Sequence, residues 1–358
     1  MKILIACGGT GGHIFPALAT VRDIKKNYPS ADILFVSSRS ALDAQIFTSA
    51  EFASIVLEAP HLPKNFIQGI FVFIPKIVRA IGEALVLVKR FAPDVVVGFG
   101  GYTSVPVLTA AALLRKKILI HEQNAIMGKA NRFLAKFADR VALSFPPLPL
   151  DRKYVLTGNP IRAALINQDR REVVGGIGIL ILGGSQGSRA LNAAATKAFE
   201  LMSVDVRKNF RVIHITGVQD YDFVAQAYSR LGVSAKAYSF LDEISLAYAA
   251  SDIAISRCGA SAIYEIAASG LASILVPYPY AMNHQLQNAM ALSKSGGAVI
   301  IEEKNLSPEL LREKMLELTS DFNRLQAMKK SAKETFSYDG AARLALEIVK
   351  VGNGALPR

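Results

Sequence analysis

Three glycine-rich turns, each preceded by a short apolar run and followed by a helical pattern, constrain this chain more than any other feature. They are GGTGGH (8–13), GFGGYTS (98–104) and GGSQGS (183–188). A strand that turns through glycine into a helix presents unpaired backbone N–H groups at the positive end of the helix dipole, and both favour a phosphate. One such turn alone serves close strand–helix packing equally well. Three in one chain point to pyrophosphate-bearing ligands.

Short Val/Ile/Leu-rich runs alternate with amphipathic stretches, the pattern of a parallel sheet covered by helices on both faces. The first series of predicted strands is 2–7, 32–37, 54–57, 95–98, 117–121 and 140–143. A second series, 177–182, 211–216, 235–240, 252–256, 272–276 and 298–301, repeats the scheme, again with a glycine turn after its first strand. Two doubly wound, Rossmann-like α/β domains account for this better than one very wide sheet. A length of 358 residues with 51% hydrophobic content agrees, at about 150 residues per domain. The expected boundary is Gly158–Asn159–Pro160, after Pro146, Pro147 and Pro149 and before the polar segment 167–172. That gives domains 1–160 and 161–339, with 340–358 (GAARLALEIVK onward) as a terminal amphipathic helix. Ligands of such sheets bind at the carboxyl ends of the strands, so a cleft between the domains is the expected site.

Composition narrows the classes. The two cysteines, Cys7 and Cys258, have no zinc or disulfide spacing, fit a reducing compartment and read as small apolar residues at strand ends. The opening MKILIAC runs into glycines too soon for a signal peptide, so a cytoplasmic protein is expected. The longest apolar candidate, 69–88, carries Lys76, Arg79 and Glu83, which argues against a membrane span. The net charge of +12 is uneven: residues 1–160 hold 19 Lys/Arg against 10 Asp/Glu, and the rest 22 against 19. The first half therefore attracts anions. Without a basic tail, a finger motif or aromatic–basic interleaving, nucleic acid is not the expected partner.

The segment 64–90 sets a helical core stripe (Ile67, Ile70 or Phe71, Ile74, Ile77, Ile81, Leu85, Val88) beside a face carrying Val72, Lys76, Arg79, Val86 and Arg90, with Pro75 breaking it in two. Apolar groups beside cations suit a surface resting on anionic headgroups. A core helix with a solvated basic face is the plain alternative.

The strings GGTGGHIFPALA at Gly8, GFGGYTSVP at Gly98, HEQNAIMGKANRFLA at His121, GNPIR at Gly158, LGGSQGSRALN at Leu182, SRCGASAIYEIAASGL at Ser256 and NHQLQNA at Asn283 resemble, in order, those of the MurG family of bacterial glycosyltransferases. The resemblance implies a GT-B architecture, an acceptor domain followed by a nucleotide-sugar domain, with the last helix returning to the first. It implies transfer of N-acetylglucosamine from UDP to the lipid-linked muramyl-pentapeptide precursor of peptidoglycan (lipid I, giving lipid II). It also implies a peripheral enzyme on the cytoplasmic face of the anionic inner membrane, with other cell-wall synthesis proteins as possible partners.

Inverting transfer requires a base for the acceptor hydroxyl and stabilisation of the departing diphosphate. His13 is the candidate base, its plain alternative being a helix cap or phosphate contact. The loops with Gly8 and Gly9, and with Gly100, Gly101, Tyr102 and Thr103, are candidates for the acceptor pyrophosphate. The loop 183–187 with Ser185 suits the donor diphosphate, and Arg162, if not merely a surface or hinge arginine, neutralises it as it leaves. The resemblance places Thr10, Gly11, Gly12, Asn124 and Gln285 around the sugar, the backbone of Leu241 on uracil, and Ala260, Ser261, Ala262, Ile263, Tyr264 and Glu265 at the nucleotide, with Glu265 on the ribose hydroxyls at the start of its helix. Ala262 stands where the family usually has threonine, removing one expected hydroxyl contact. No cofactor and no metal are indicated: Asp220–Tyr221–Asp222 reads as a solvated helix start, and His121, His214 and His284 lack ligand spacing.

Three other readings stay open on the sequence. An NADP-dependent oxidoreductase could place Arg39 on a 2′-phosphate, but no glycine loop has the dinucleotide spacing. A UDP-sugar 2-epimerase shares the fold without a lipid acceptor, and a non-catalytic nucleotide-sugar sensor needs no turnover.

Overall fold

A computed structural model of the chain describes residues 1–50, 52–60, 69–146, 151–166, 175–184, 186–280 and 283–355. Ser185, Lys64, Ile67, Pro147, Pro149 and the segment 167–172 lie outside the described residues, as does the side chain of Ile70. The chain divides into two compact units, Met1–Ile161 with Tyr338–Arg358, and Arg162–Ser337.

The first unit contains β1 (Lys2–Ala6), β2 (Asp32–Ser37), β3 (Ser54–Val56), β4 (Val95–Gly98), β5 (Lys117–Glu122), β6 (Arg140–Leu143) and β7 (Tyr154–Leu156). They form one sheet in the order β3-β2-β1-β4-β5-β6-β7, with parallel pairing throughout. Ile3, Leu4, Ile5, Val95, Val96 and Val97 are completely buried, which is why these strands read as unbroken apolar runs. Alternate residues serve opposite faces. Ile3, Ile5 and Val97 join Ile14, Val21 and Ile24 of the helix Gly11–Asn27 and Leu344, Ile348 and Val351 of the helix Gly340–Gly352. Leu4, Ala6 and Val96 join Ala84 and Val88 of Ile74–Phe91 and Val107 and Leu108 of Ser104–Leu113. The last helix fits closely because Gly340 meets the Asn159 backbone, where a Cβ would come within 2.9 Å.

The second unit contains β8 (Ile177–Leu182), β9 (Phe210–Ile215), β10 (Ser234–Tyr238), β11 (Ile253–Ser256), β12 (Ala272–Leu275) and β13 (Ala298–Ile300). Its order, β10-β9-β8-β11-β12-β13, is that of a doubly wound sheet, again all parallel. In both sheets the winding reverses beside the first strand, between β1 and β4 and between β8 and β11. The glycine turns follow β1, β4 and β8, so all three sit at these switch points.

Two expectations shift. Strand β7 was not predicted, because Tyr154–Leu156 is only three residues long and half-buried, leaving no apolar run to read. The predicted stripe on 64–90 is partly displaced: Val88 is buried as expected and Ile77, Ile81 and Leu85 are half-buried, but Phe71 and Ile74 toward its N-terminal end are exposed. In the helix Ile74–Phe91 the buried residues are Ala80, Ala84 and Val88, whereas Ile74 is 50% and Phe71 74% exposed. Ala84 and Val88 share a cluster with Ala110 and Ala111, and small side chains let two helices approach closely where large ones would hold them apart. Pro75 sits in the first turn of this helix, preceded by a π-helical turn, Gly69–Phe73. Among the described residues no helix is long and apolar enough to cross a membrane.

Candidate active site

Four helices begin at the carboxyl edges of the central strands: Gly11–Asn27, Ser104–Leu113, Arg189–Glu200 and Ala260–Ala268. None has a side-chain cap hydrogen bond or an acidic residue in its first turn. The helices Val204–Arg207, Pro308–Ser320 and Phe322–Glu334 are instead capped by Ser203, Ser307 and Asp321. Uncapped N-terminal amides are free to meet an anion, but the helices Ile74–Phe91, His284–Lys294 and Gly340–Gly352 also lack a side-chain cap, so this feature alone does not mark the site.

In the first unit the two glycine turns interlock. Gly9, Gly100 and Gly101 adopt φ of 84°, 86° and 78°, the left-handed region that favours glycine. A Cβ at Gly9 would come 2.9 Å from the Tyr102 ring, and one at Gly101 would come 2.9 Å from Gly8 O. His13 is half-buried between them. Its Nδ1 lies 3.2 Å from Gly8 O and 3.2 Å from Thr10 Oγ1. A carbonyl only accepts, so Nδ1 carries the proton and Nε2 keeps its lone pair. Burial lowers the His13 pKa below the ordinary histidine value, outweighing the Gly8 hydrogen bond and the charges of Glu122 and Asp43, which raise it. A neutral imidazole at pH 7 is the form that accepts a proton. Thr10 and Gly12 are exposed, while Gly8, Gly11, Gly100 and Thr103 are buried; the Thr103 hydroxyl has no partner in its buried position.

The HEQN stretch divides its labour. Buried His121 places Nε2 3.3 Å from Gly158 O and receives the Gln123 amide on Nδ1 at 3.2 Å, and burial pushes its pKa down to about 4. It holds the chain at the end of the first unit. Glu122 accepts from Asn124 N (2.9 Å), Asn124 Nδ2 (3.1 Å), Gly128 N (3.0 Å) and Asn131 Nδ2 (2.8 Å). Asn124 is therefore fixed by its neighbour's carboxylate.

In the second unit Gly184 and Gly187 adopt φ of 89° and 79°. A Cβ on Gly187 would collide with Thr216 O. Behind the turn, Asn192 donates to Thr216 O (2.9 Å) and Asp220 (2.8 Å) and lies 2.9 Å from the buried ring of His214. Asp220 thus serves the fold. Arg257, which the sequence reading passed over, donates through Nε (2.9 Å) and Nη2 (2.7 Å) to Ser188 Oγ and pairs with Glu303. Its only sequence signal is its place directly after β11, at the switch point.

Glu265 lies in the sixth position of Ala260–Ala268 and is 8% exposed, not at the helix start as expected. Tyr248 Oη donates to its Oε2 at 3.2 Å. Burial raises the Glu265 pKa, and the Arg162 charge and the Tyr248 hydrogen bond oppose that rise. Arg162 and Glu265 are thereby brought together. Ala260, Ile263 and Tyr264 are buried, Tyr264 stacked on Phe336 at 4.1 Å, whereas Ser261 and Ala262 are half-buried at the helix start. Gln285 Oε1 accepts from Cys258 N and Tyr278 N, both at 3.0 Å, placing its amide beside the start of that helix. Leu241 is half-buried in the turn after β10. Cys7 and Cys258 are free and buried, and burial raises both thiol pKa values. Arg39 pairs with Glu58 at 3.5 Å on the surface. Among the described residues, no group of three or more His, Cys, Asp or Glu is placed to hold a metal.

Comparison with known proteins identifies the family. The glycosyltransferase family 28 N-terminal domain matches residues 3–143 and the family 28 C-terminal domain residues 178–344. The chain is 36% identical over 350 residues, 96% of its own length and 95% of the relative's, to the UDP-N-acetylglucosamine--N-acetylmuramyl-(pentapeptide) pyrophosphoryl-undecaprenol N-acetylglucosamine transferase of Desulfotalea psychrophila. It superposes on the crystal structure of Acinetobacter baumannii MurG with a TM-score of 0.79 at 26% identity, covering 98% of this chain and 99% of that one. A putative UDP-N-acetylglucosamine 2-epimerase of Listeria monocytogenes shares the fold alone, with a TM-score of 0.71 at 14% identity over 100% of this chain and 98% of that one. Full-length identity to a named transferase, together with both family domains in order, settles the family: the chain belongs to glycosyltransferase family 28 and, within it, to the MurG transferases.

Proposed function

We infer that the chain transfers N-acetylglucosamine from UDP-N-acetylglucosamine to the muramyl sugar of undecaprenyl-pyrophosphoryl-muramyl-pentapeptide, with inversion and release of UDP. The observation that carries this reading is the 36% identity across 96% of the chain to a transferase named for that reaction. In the proposed chemistry the acceptor hydroxyl gives its proton to His13 Nε2 while its oxygen bonds the anomeric carbon. The bond from that carbon to the diphosphate oxygen breaks, and its electron pair leaves with UDP. The amides of the 183–187 turn, the N-terminus of Arg189–Glu200 and the Arg162 guanidinium stabilise the charge on that diphosphate. Glu265 accepts from the ribose hydroxyls, and Asn124 and Gln285 supply amides for the sugars. The first-unit loops with Gly8, Gly9, Gly100, Gly101, Tyr102 and Thr103 hold the acceptor pyrophosphate.

The acceptor is a lipid, and we place the chain against an anionic membrane surface through the helix Ile74–Phe91. Phe71, Val72, Ile74 and Val78 are 74%, 49%, 50% and 61% exposed. Lys76, Arg79, Lys89 and Arg90 are also exposed on this helix, Arg79 bonded to Glu83 at 2.8 Å. Apolar side chains beside Lys76 and Arg79, with Lys89 and Arg90 further along the helix, fit a headgroup boundary.

The test is to incubate the purified chain with UDP-N-acetylglucosamine, with and without a short-chain lipid-linked muramyl-pentapeptide, in chelator. Acceptor-dependent UDP release with a disaccharide-lipid product is expected. Formation of UDP-N-acetylmannosamine would replace the transferase with an epimerase, and binding without any product would leave a sensor.

A further inference from the structure

One peptide group, that between Gly8 and Gly9, is bonded at both ends. Its N–H donates to Asp43, at 3.2 Å from Oδ1 and 3.0 Å from Oδ2. Its carbonyl accepts the Nδ1 proton of His13 at 3.2 Å. Asp43 belongs to the helix Ala41–Ala50, is completely buried, and is fixed by Ser38, whose N and Oγ donate to Oδ2 at 3.0 and 2.7 Å. No side chain fits between them: a Cβ at Gly8 would come 2.7 Å from Asp43 Oδ2.

We propose that Asp43 is a positioning residue that acts on His13 through the Gly8–Gly9 peptide, as the carboxylate of an Asp–His pair acts directly. A carboxylate at the N–H end of a peptide polarises it and makes the carbonyl a stronger acceptor. The Gly8 carbonyl then holds the Nδ1 proton more firmly, fixes the ring with Nε2 as the basic atom, and stabilises the imidazolium formed when Nε2 gains a proton. Nδ1 keeps its proton throughout. The inference rests on His13 being the base proposed above. Glu122 does not fill the same role, because its partners are Asn124, Gly128 and Asn131 and none of them is His13 or the peptide that holds it.

The charges that act on His13 are Glu122 from β5 and, more weakly, Asp43 from Ala41–Ala50, while the Tyr102 ring of the second glycine turn lies against Gly9. Cys7, beside Asp43, stays a neutral thiol because burial and the Asp43 charge both raise its pKa. Removing the Asp43 charge alone isolates its share.

The experiment is an NMR titration of His13 in the full chain and in Asp43→Asn, with resonances assigned by His13→Gln, alongside the pH profiles of kcat and kcat/KM. In folded Asp43→Asn the His13 midpoint is expected to fall, since the Asp43 charge raises it. The acid limb of kcat/KM is expected to follow it downward, and the kcat plateau to drop by about 10-fold, with KM for UDP-N-acetylglucosamine unchanged. In the unsubstituted protein the Gly9 amide resonance is expected to follow the His13 titration, a readout that needs no variant. An unmoved midpoint in folded Asp43→Asn, or a Gly9 resonance indifferent to His13, overturns the proposal. Near-normal turnover by His13→Gln overturns the base assignment instead, and leaves the coupling read by NMR intact.

Discussion

Arg140 Nε donates to Glu347 Oε2 at 2.7 Å and ties β6 to the last helix, 207 residues away in sequence. Their side chains are only 14% and 7% exposed, and Lys350 adds a second bond to Glu347 at 2.8 Å. Substituting Glu347→Ala leaves Arg140 mostly buried without its counter-charge, which is expected to cost about 2–4 kcal/mol. Burial works against ionisation of Glu347, but the bonds from Lys350 and Arg140 win and hold its pKa below the ordinary carboxylate value. The folded pKa is depressed, so this contribution is present above the unfolded value of about 4.3 and is lost as pH falls through the lower folded value. Urea unfolding at pH 7 and at pH 3 checks it: the gap between the unsubstituted chain and Glu347→Ala should narrow in acid.

His13→Ala is expected to lower kcat by about 10²–10⁴-fold, the range for loss of a general base. UDP binding, measured by calorimetry, should stay within about twofold. Because burial lowers the His13 pKa, the acid limb of kcat/KM for the unsubstituted chain, which reports the free enzyme, should lie below pH 6.5, the ordinary histidine value. A limb above that value would contradict the assignment.

Glu265 presents a trade between stability and binding. Its folded pKa is raised by burial. A raised carboxylate pKa means stability that is complete at low pH and is lost as pH rises through the folded value, so the ionised form burdens the empty protein at neutral pH. Glu265→Gln should therefore raise the thermal midpoint at pH 7 while increasing KM for the donor about 10-fold, or about 1.4 kcal/mol. A lower midpoint with unchanged KM would reverse both halves of this reading.

The turn proposed for the donor diphosphate distinguishes two glycines. Both Gly184 and Gly187 have positive φ, but space around Gly184 is open whereas a Cβ on Gly187 meets the carbonyl of Thr216. Gly184→Ala should cost about 1–2 kcal/mol, the backbone strain alone. Gly187→Ala adds a collision with rigid backbone and should abolish UDP binding in a protein that is folded by circular dichroism.

Membrane attachment is tested by flotation with anionic vesicles. Phe71→Ser with Val78→Ser should weaken binding by about 10-fold or more, since a large apolar side chain contributes about 1.5–3 kcal/mol on burial, and should leave the unfolding midpoint unchanged because both residues are exposed. Equal binding of the variant, or binding to neutral vesicles only, would remove this helix as the contact.

Features that are local or periodic can be read from the residues alone. The central strands of both sheets were legible because a parallel strand covered on both faces must be apolar along its length, as in Ile3–Ile5 or Val95–Val97, whereas half-buried β7 was not. The glycine turns were legible because positive φ at Gly9, Gly100, Gly101, Gly184 and Gly187 demands a residue without Cβ. His13 stands out as a candidate because it directly follows such a turn. Tertiary structure alone decided the rest. Asp43 reaches Gly9 across 34 residues and Arg257 reaches Ser188 across 69, and no spacing rule encodes such pairs. The helix Ile74–Phe91 turns its alanines rather than its isoleucines inward, because close approach to a neighbouring helix is a property of two surfaces and periodicity reads only one. Glu265 likewise became a buried carboxylate beside Tyr248 and Arg162 only when folding removed the water that its position in sequence says nothing about.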